Sequence, residues 1–310
     1  MKTAFVFPGQ GAQYIGMAAD YLQNHPCSLE TIDSFDAMHN TKLKQIMLEG
    51  PEESLKQTSI TQPAILFHSI AAWKLFNTKS SIKADFVAGH SLGEFSAMVA
   101  SGMLSVPEAM HLVHKRGEFM IKANAGVPFA MSAIIGLDAP TVMQICAEAS
   151  VSGLVQAVNF NTPIQTVISG TAEGVAAAGE LAKNRGAKRV LPLIVGGPFH
   201  TPLIHQASKW LAEEMQQLTF KDGSIPVVSN LDAAPCTNGN EQRDKLALQI
   251  ISPVRWVECI QFMLGEGVER FIEFGPQKVL SGMIKNISKD VEIFSIDRIE
   301  DVDAVASVTG

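Results

Sequence analysis

The sequence lacks the features that identify membrane proteins and nucleic-acid-binding proteins. No apolar run approaches the ~18–20 residues that a membrane-spanning helix needs. The 24 Lys and Arg residues are outnumbered by 31 Asp and Glu, and the resulting net charge of −7 argues against a protein that mainly binds nucleic acid. We therefore expect neither a membrane nor a nucleic acid as a partner.

The cysteines are too few and too scattered for a disulfide framework, a metal site or a redox motif. Cys27, Cys146, Cys236 and Cys259 stand far apart in the sequence. We expect reduced thiols, no bound metal and a cytoplasmic location. The apolar stretch at the N-terminus ends at Pro8, before it reaches the length of a signal-peptide core.

Short apolar strands alternate with helices over much of the chain, which predicts an α/β fold. Ala4–Phe7 and Phe86–Ala88 are typical of buried strands, and each leads into a glycine-containing turn and a helix. Between residues 127 and 195 the predicted order becomes β-α-β-β-α-β, the pattern of a ferredoxin-like unit. The length of 310 residues suits two domains, or one domain with an insertion.

The predicted architecture is therefore a large α/β-hydrolase-like domain with a mainly parallel sheet, plus an inserted ferredoxin-like α+β subdomain. We assign residues 1–126 and 196–297 to the large catalytic domain and residues 127–195 to the inserted subdomain. Residues 298–310 are acidic and then small, which is typical of a tail or a linker.

A candidate nucleophile is Ser91, in the sequence Gly89-His90-Ser91-Leu92-Gly93 between a predicted strand and a predicted helix. A serine on such a tight turn projects its hydroxyl clear of the sheet, and the following N–H can stabilise an oxyanion. The alternative is an ordinary loop serine or a helix cap. The strand-to-helix context favours the nucleophile.

A serine nucleophile needs a base, and His200 has the most suitable position among the 8 histidines. It ends a loop rich in Gly and Pro that follows an apolar strand, and catalytic groups favour such loops. His90 adjoins the serine but points away from it along the turn. The alternative for His200 is a structural histidine beside a turn.

Two further features remain open on position alone. The loop Phe7-Pro8-Gly9-Gln10-Gly11 lacks the lysine of a P-loop and the glycine spacing of a dinucleotide site, so Gln10 is a candidate oxyanion donor instead. Arg116 interrupts an amphipathic helix. It is either a cation that reaches solvent or a bidentate partner for a substrate carboxylate.

These motifs together resemble the malonyl-CoA:acyl carrier protein transacylase family and the related acyltransferases that load polyketide synthases. The resemblance extends from Phe5 to about Ile296. It includes the loop at Gln10, the Ser91 motif through Glu94, Arg116-Gly117 and Asn159-Phe160-Asn161. It closes with Pro198-Phe199-His200, Gln249, Ser252-Pro253-Val254-Arg255-Trp256 and Phe274-Gly275-Pro276.

The resemblance implies a role for each matched residue. Ser91 is the nucleophile, His200 its base and acid, and a carbonyl near Gln249 replaces the usual triad carboxylate. Gln10 and the Leu92 N–H border the oxyanion hole. Arg116 pairs with the malonyl carboxylate. Asn159 and Asn161 line the cleft between the domains, and Phe199 occupies the space that an α-methyl group needs.

The resemblance also implies ping-pong transfer of a malonyl group from malonyl-CoA to the phosphopantetheine thiol of an acyl carrier protein. It implies no cofactor, and we expect a monomer. Phe199 stands where relatives in fatty acid synthesis more often have serine, which favours polyketide supply. The alternatives are a proofreading hydrolase of acyl carrier protein thioesters and an interaction module with a vestigial site.

An acidic carrier protein would need a local basic patch on this acidic chain. The candidates are exposed cations on the small subdomain and near the other side of the cleft: Lys183, Arg185, Lys188, Arg189, Lys278, Lys285 and Lys289. The alternative is that these residues are merely solvated.

Overall fold

The computed structural model describes residues 1–24, 26–124 and 126–309, and the side chains of Pro26, Cys27 and Thr309 are not included in that description. The expectation for the Cys27 thiol therefore lies outside the described residues. Cys146, Cys236 and Cys259 are buried free thiols. The described ranges contain no group of His, Cys, Asp or Glu side chains placed to hold a metal ion. Within those ranges, no helix has both the length and the apolar character needed to span a bilayer.

The strands are β1 Lys2–Phe7, β2 Phe86–Gly89, β3 Phe129–Ile135, β4 Val155–Thr162, β5 Gln165–Thr171, β6 Arg189–Pro192, β7 Val227–Val228, β8 Pro235–Cys236, β9 Val268–Phe274 and β10 Glu292–Ile296. The helices are α1 Ala19–Asn24, α2 Pro26–His39, α3 Leu43–Glu49, α4 Glu52–Leu55, α5 Thr58–Lys79, α6 Gly93–Ser101, α7 Val106–Lys122, α8 Ala139–Ala149, α9 Ala172–Asn184, α10 His205–Met215, α11 Gly239–Gln249, α12 Trp256–Gly265, α13 Val279–Ile287 and α14 Ile299–Thr309.

The larger sheet has six strands in the order β10-β9-β1-β2-β7-β8. Its pairs are parallel except for β7 with β8, which confirms the mainly parallel sheet. Side chains of β1 alternate between two core clusters: Phe5 and Phe7 contribute to one, Ala4 and Val6 to the other. A central parallel strand is covered on both faces, so a continuous apolar run is its expected sequence.

The smaller sheet has the antiparallel order β4-β5-β3-β6. With α8 and α9 it gives the predicted β-α-β-β-α-β connectivity. Asp138 and Thr171 cap the two helices, each accepting a backbone N–H from the first turn. This unit has its own core, which includes Ile134, Val142 and Ile168. Strand β4 also meets the larger domain, where the Phe160 N–H donates to the Val254 carbonyl at 3.0 Å.

The C-terminal residues differ from the tail or linker expected for 298–310. Ile299–Thr309 is a helix that packs on α5, and Val302 and Val305 join the main core cluster. The spacing of these apolar residues gives one buried helical face. The Asp301 carboxylate accepts the Arg298 N–H at 2.9 Å and so fixes the start of the helix.

Candidate active site

Ser91 occupies the sharp turn between β2 and α6. Its φ of 52° lies in the left-handed region, which L-residues adopt only where the surroundings enforce it. A Cβ added to Gly89 would lie 1.9 Å from the Gly93 carbonyl carbon, and one added to Gly93 would lie 2.1 Å from the Phe7 carbonyl oxygen. Both glycines are therefore required for strand β1, the turn and helix α6 to pack this closely.

His200 lies within hydrogen-bonding distance of the serine hydroxyl. The Ser91 Oγ is 2.9 Å from His200 Nε2. The other ring nitrogen, Nδ1, is 2.9 Å from the Gln249 carbonyl oxygen and 3.1 Å from the Ser252 carbonyl oxygen. Because carbonyls only accept, Nδ1 carries the proton and Nε2 is left free to accept the one on Ser91.

The imidazole is neutral over most of the pH range. Burial, with a further contribution from the nearby Arg116 cation, lowers the pKa of His200 from 6.5 to about 3. Two main-chain carbonyls orient the ring in place of a triad carboxylate. This geometry suits a general base for a serine nucleophile.

Arg116 projects from α7 into the same site and is 1% exposed. Its Nη2 donates to Ser91 Oγ at 2.9 Å and to Gln249 Oε1 at 3.0 Å, and its Nη1 donates to Gln62 Oε1 at 3.0 Å. Burial lowers the pKa of Arg116 to about 10, so the guanidinium stays charged near neutral pH. Of the two sequence interpretations, the solvent-reaching cation is therefore wrong.

Ser91, His200 and Arg116 line a cavity of about 100 Å³. Its walls include Gln10, Leu92, Asn159 and Phe199. Leu92 is the N-cap residue of α6, and the N–H groups at a helix N-terminus favour a negative charge. Among the described residues, the buried Asn159 Oδ1 has no hydrogen-bond partner, so it is available to a bound molecule.

Asn161 differs from the expectation that it lines the cleft. It is 5% exposed and does not line the cavity. Its Oδ1 is 2.8 Å from His90 Nε2. This contact occupies the Nε2 of His90, which is itself among the residues that line the cavity.

A larger, mainly apolar groove of about 810 Å³ lies elsewhere, between α8, β4 and residues 253–258. Its lining does not include Ser91, His200 or Arg116. The candidate nucleophile and base therefore lie in the smaller cavity.

Three polar residues contact the site but had no assigned role from sequence: Gln62, Glu94 and Asn230. The Asn230 Oδ1 accepts the Ser91 N–H at 2.7 Å, and its Nδ2 donates to the Gly89 carbonyl at 2.7 Å, so one amide holds both sides of the turn. Glu94 accepts from the Gln249 amide at 2.6 Å. A carboxylate among the apolar and small residues of helix α6 was the one local signal that could have identified Glu94.

Residues 4–306 match the family model for the acyl transferase domain. The chain belongs to the acyl transferase domain family. A curated relative, the malonyl CoA-acyl carrier protein transacylase of Bacillus subtilis (strain 168), is 44% identical over 303 residues, which cover 97% of this chain and 95% of the relative. The enzyme of that name from Escherichia coli (strain K12) is 42% identical over 286 residues, covering 92% and 93% of the two chains.

Solved structures of family members have the same fold. The acyl-carrier-protein S-malonyltransferase of Burkholderia pseudomallei 1710b has a TM-score of 0.94 and 40% identity, and the match covers 99% of this chain and 100% of that one. A malonyl-transacylase solved with the acyl-carrier protein of a type II polyketide synthase has a TM-score of 0.95 and 36% identity, with 100% of both chains covered.

Proposed function

We propose that this protein transfers a malonyl group from malonyl-CoA to the phosphopantetheine thiol of an acyl carrier protein, through a malonyl ester of Ser91. The observation that carries the proposal is the Arg116 guanidinium, buried 2.9 Å from the serine hydroxyl. It supplies a partner for a substrate carboxylate at the site of acyl transfer. The names of the relatives, about 40% identical over nearly the whole chain, support the same activity.

In the first half-reaction the Ser91 oxygen attacks the thioester carbonyl while His200 Nε2 accepts the hydroxyl proton. The tetrahedral oxyanion forms beside Gln10 and the N–H of Leu92, which we propose as its hydrogen-bond donors. The C–S bond then breaks, and the proton on His200 passes to the departing CoA sulfur. A malonyl ester of Ser91 remains.

In the second half-reaction the thiol of the carrier's phosphopantetheine arm attacks that ester. His200 accepts the thiol proton and returns a proton to the Ser91 oxygen as the ester bond breaks. The malonyl group leaves as a new thioester, and the free enzyme is restored. Transfer through a covalent intermediate predicts ping-pong kinetics.

Arg116 selects the malonyl group through its free carboxylate. That carboxylate carbon lies two bonds beyond the ester carbonyl carbon, within the reach of a guanidinium that already contacts the ester oxygen. A hydrolase of monocarboxylic acyl groups would leave this buried cation without a substrate partner, which is costly. The arginine therefore favours malonyl transfer over acyl hydrolysis.

Labelled malonyl-CoA distinguishes the candidate functions. We expect label to accumulate on the enzyme and to move to added holo-carrier protein faster than it appears as free malonate. Rapid release of malonate, unaffected by the carrier, would instead show a hydrolase. Absence of enzyme-bound label and of product would show an interaction module. A carrier lacking phosphopantetheine is the control, since it offers no acceptor thiol.

Phe199 is expected to restrict the acyl group to malonyl. Phe199 is 6% exposed and lines the catalytic cavity. Phe199→Ser should shift the ratio of kcat/KM values for methylmalonyl-CoA and malonyl-CoA toward methylmalonyl by roughly tenfold, within the range for one methyl group in a pocket. Phe199→Leu, which keeps most of the bulk, should change the ratio less. An unchanged ratio in the serine variant would rule out this role.

The low pKa of His200 predicts that kcat/KM does not fall as the pH is lowered into the moderately acidic range. A general base must be neutral, and a pKa lowered from 6.5 to about 3 keeps it neutral in moderately acidic solution. The kcat/KM for malonyl-CoA should therefore show no inflection near 6.5 when measured from about pH 5 to about pH 8. Circular dichroism over the same range checks that the fold persists. A midpoint near 6.5 in folded protein would contradict the assigned environment of His200.

The exposed cations near the cleft divide into paired and unpaired groups. Arg185 is paired with Glu148, and Lys183 with Glu180. Lys188 and Arg189 are exposed, and within the described residues no ion pair involves them. They precede Leu193, which lines the catalytic cavity. We propose this pair as the contact for an acidic carrier protein.

Reversing both charges, in Lys188→Glu with Arg189→Glu, should raise KM for the carrier several-fold and leave KM for malonyl-CoA unchanged. The added negative charge repels an acidic partner, and the effect should weaken at high salt. The matched control is the double variant Lys74→Glu with Lys83→Glu. Both lysines are exposed; Lys74 lies in the C-terminal half of α5, and Lys83 lies shortly after that helix. Equal effects of the two double variants would reject a local docking contact.

We further propose that the enzyme works in the cytoplasm without a bound cofactor. Its buried cysteines are free thiols, as expected in a reducing compartment. The bulky Phe199 supports supply to a polyketide synthase, and the same malonyl transfer would serve fatty acid synthesis.

A further inference from the structure

Glu94 is a buried carboxylate beside the active site that the proposed mechanism does not use. Its side chain is fully buried in the first turn of α6. It accepts hydrogen bonds from the Gln249 amide at 2.6 Å, the Gln242 amide at 2.5 Å and the Asn230 backbone N–H at 3.1 Å. All three partners donate, so the surroundings are arranged for the ionised carboxylate.

The Gln249 side chain connects this carboxylate to Arg116. Its Oε1 accepts from Arg116 Nη2 at 3.0 Å, and its Nε2 donates to Glu94 at 2.6 Å and to the Ser91 carbonyl at 3.0 Å. The amide thus has a cation at its oxygen end and an anion at its nitrogen end. Hydrogen bonds of this kind reinforce one another in a buried site.

We propose that Glu94 is a positioning residue for recognition of the malonyl carboxylate and acts through Gln249. Its charge fixes the amide with the oxygen facing Arg116, and that oxygen holds the guanidinium beside Ser91. Without the charge, the amide is free to turn its nitrogen toward Arg116, which places two donors against each other. This inference rests on the proposed malonyl transfer.

The electrostatics of the pair agree with this role. Burial lowers the pKa of Arg116, and the nearby Glu94 charge opposes that effect. Burial also raises the pKa of the Glu94 carboxyl, which its Gln249 and Asn230 donors oppose. The Glu94 charge therefore helps to keep the Arg116 guanidinium ionised before substrate arrives, and the donors around Glu94 favour its carboxylate form.

Glu94→Gln tests the proposal because it keeps the shape of the side chain and removes its charge. We expect kcat/KM for malonyl-CoA to fall at least about tenfold, mainly through KM, and kcat/KM for acetyl-CoA to change by less than about threefold. Glu94→Asp retains the charge and should keep a malonyl-to-acetyl ratio within about threefold of the unmodified enzyme.

Glu273→Gln is the matched control, since Glu273 is equally buried but caps α13, accepting the Leu280 N–H at 2.9 Å and the Ser281 N–H at 2.7 Å. Glu273→Gln should lower thermal stability and leave the malonyl-to-acetyl ratio unchanged.

Gln249→Met removes the connecting amide but keeps the backbone carbonyl that His200 contacts. Gln249→Met should lower the ratio of kcat/KM for malonyl-CoA to that for acetyl-CoA, as Glu94→Gln does. If Glu94→Gln does not fold, Gln249→Met alone tests the positioning role.

Equal losses for malonyl-CoA and acetyl-CoA in Glu94→Gln, or an unchanged ratio in Gln249→Met, would overturn the positioning role. The unmodified enzyme is measured in the same assay. If it forms no malonyl-enzyme, the proposed function itself fails, and this result is distinct from failure of the role of Glu94.

Discussion

Ser91→Ala is expected to lower malonyl transfer by about 10⁴-fold or more, because the variant has no oxygen to carry the acyl group. Loss of a nucleophile is the most severe single change available in a covalent mechanism. Binding of malonyl-CoA should persist, since Arg116 and the cavity walls remain. Steady-state transfer to holo-carrier protein and equilibrium binding of malonyl-CoA measure the two quantities separately.

Ser96→Ala is a suitable control for that experiment. Ser96 lies in helix α6, which follows the Ser91 turn, and is fully buried; within the described residues its hydroxyl has no hydrogen-bond partner. Its removal should leave both transfer and binding close to normal. Substantial residual transfer in Ser91→Ala, beyond what the uncatalysed thiol exchange supplies, would exclude the ester intermediate.

Arg116→Ala is expected to lower kcat/KM for malonyl-CoA by about 10²–10³-fold, or ~3–4 kcal/mol, which lies in the lower part of the range for removing one partner of a buried charge pair. Acetyl-CoA has no second carboxylate, so its transfer should lose much less. The guanidinium also donates to Ser91 Oγ, and a modest loss common to both substrates should follow from that contact. The ratio of the two kcat/KM values isolates recognition of the carboxylate.

Arg116→Lys separates charge from geometry. An ammonium keeps the positive charge but cannot bridge a carboxylate, Gln62 and Gln249 in one plane. Its malonyl activity should therefore fall between those of the alanine variant and the unmodified enzyme. Equal losses for malonyl-CoA and acetyl-CoA in Arg116→Ala would show that the arginine supports the site in general and does not select the malonyl group.

The residues at the core of the candidate site could be predicted from sequence because local patterns mark them. The turn at Ser91 needs glycines on both sides, and the close approaches of Gly89 and Gly93 explain why. The position of His200 after a strand in a loop rich in Gly and Pro was also a local signal. The resemblance supplied the role proposed for Arg116, which its place in a helix left open.

Other parts of the site depend on contacts between distant segments, which local patterns do not reveal. Gln62 and Asn230 reach the site from α5 and from the residues after β7, and neither stands in a motif of its own. Asn161 shares a strand with Asn159, yet it does not line the cavity, and its side chain contacts His90 instead. The strand pairing is irregular between Phe160 and Thr162, which alters the alternation that sequence reasoning assumes.

The C-terminal helix shows the same limit at the level of the fold. Residues 299–308 include four acidic or hydroxyl side chains, which are Glu300, Asp301, Asp303 and Ser307. Alanines and valines lie between them. That composition concealed the apolar face that Val302 and Val305 present to the core. Packing against α5 stabilises a helix that its composition only weakly predicts.

The most direct test of the mechanism is mass spectrometry of the enzyme after brief incubation with malonyl-CoA. A single malonyl adduct is expected, which peptide mapping should place on Ser91. Added holo-carrier protein should discharge it within one turnover and gain the malonyl group. An adduct on another residue, or one that the carrier thiol cannot discharge, would contradict transfer through a malonyl ester of Ser91.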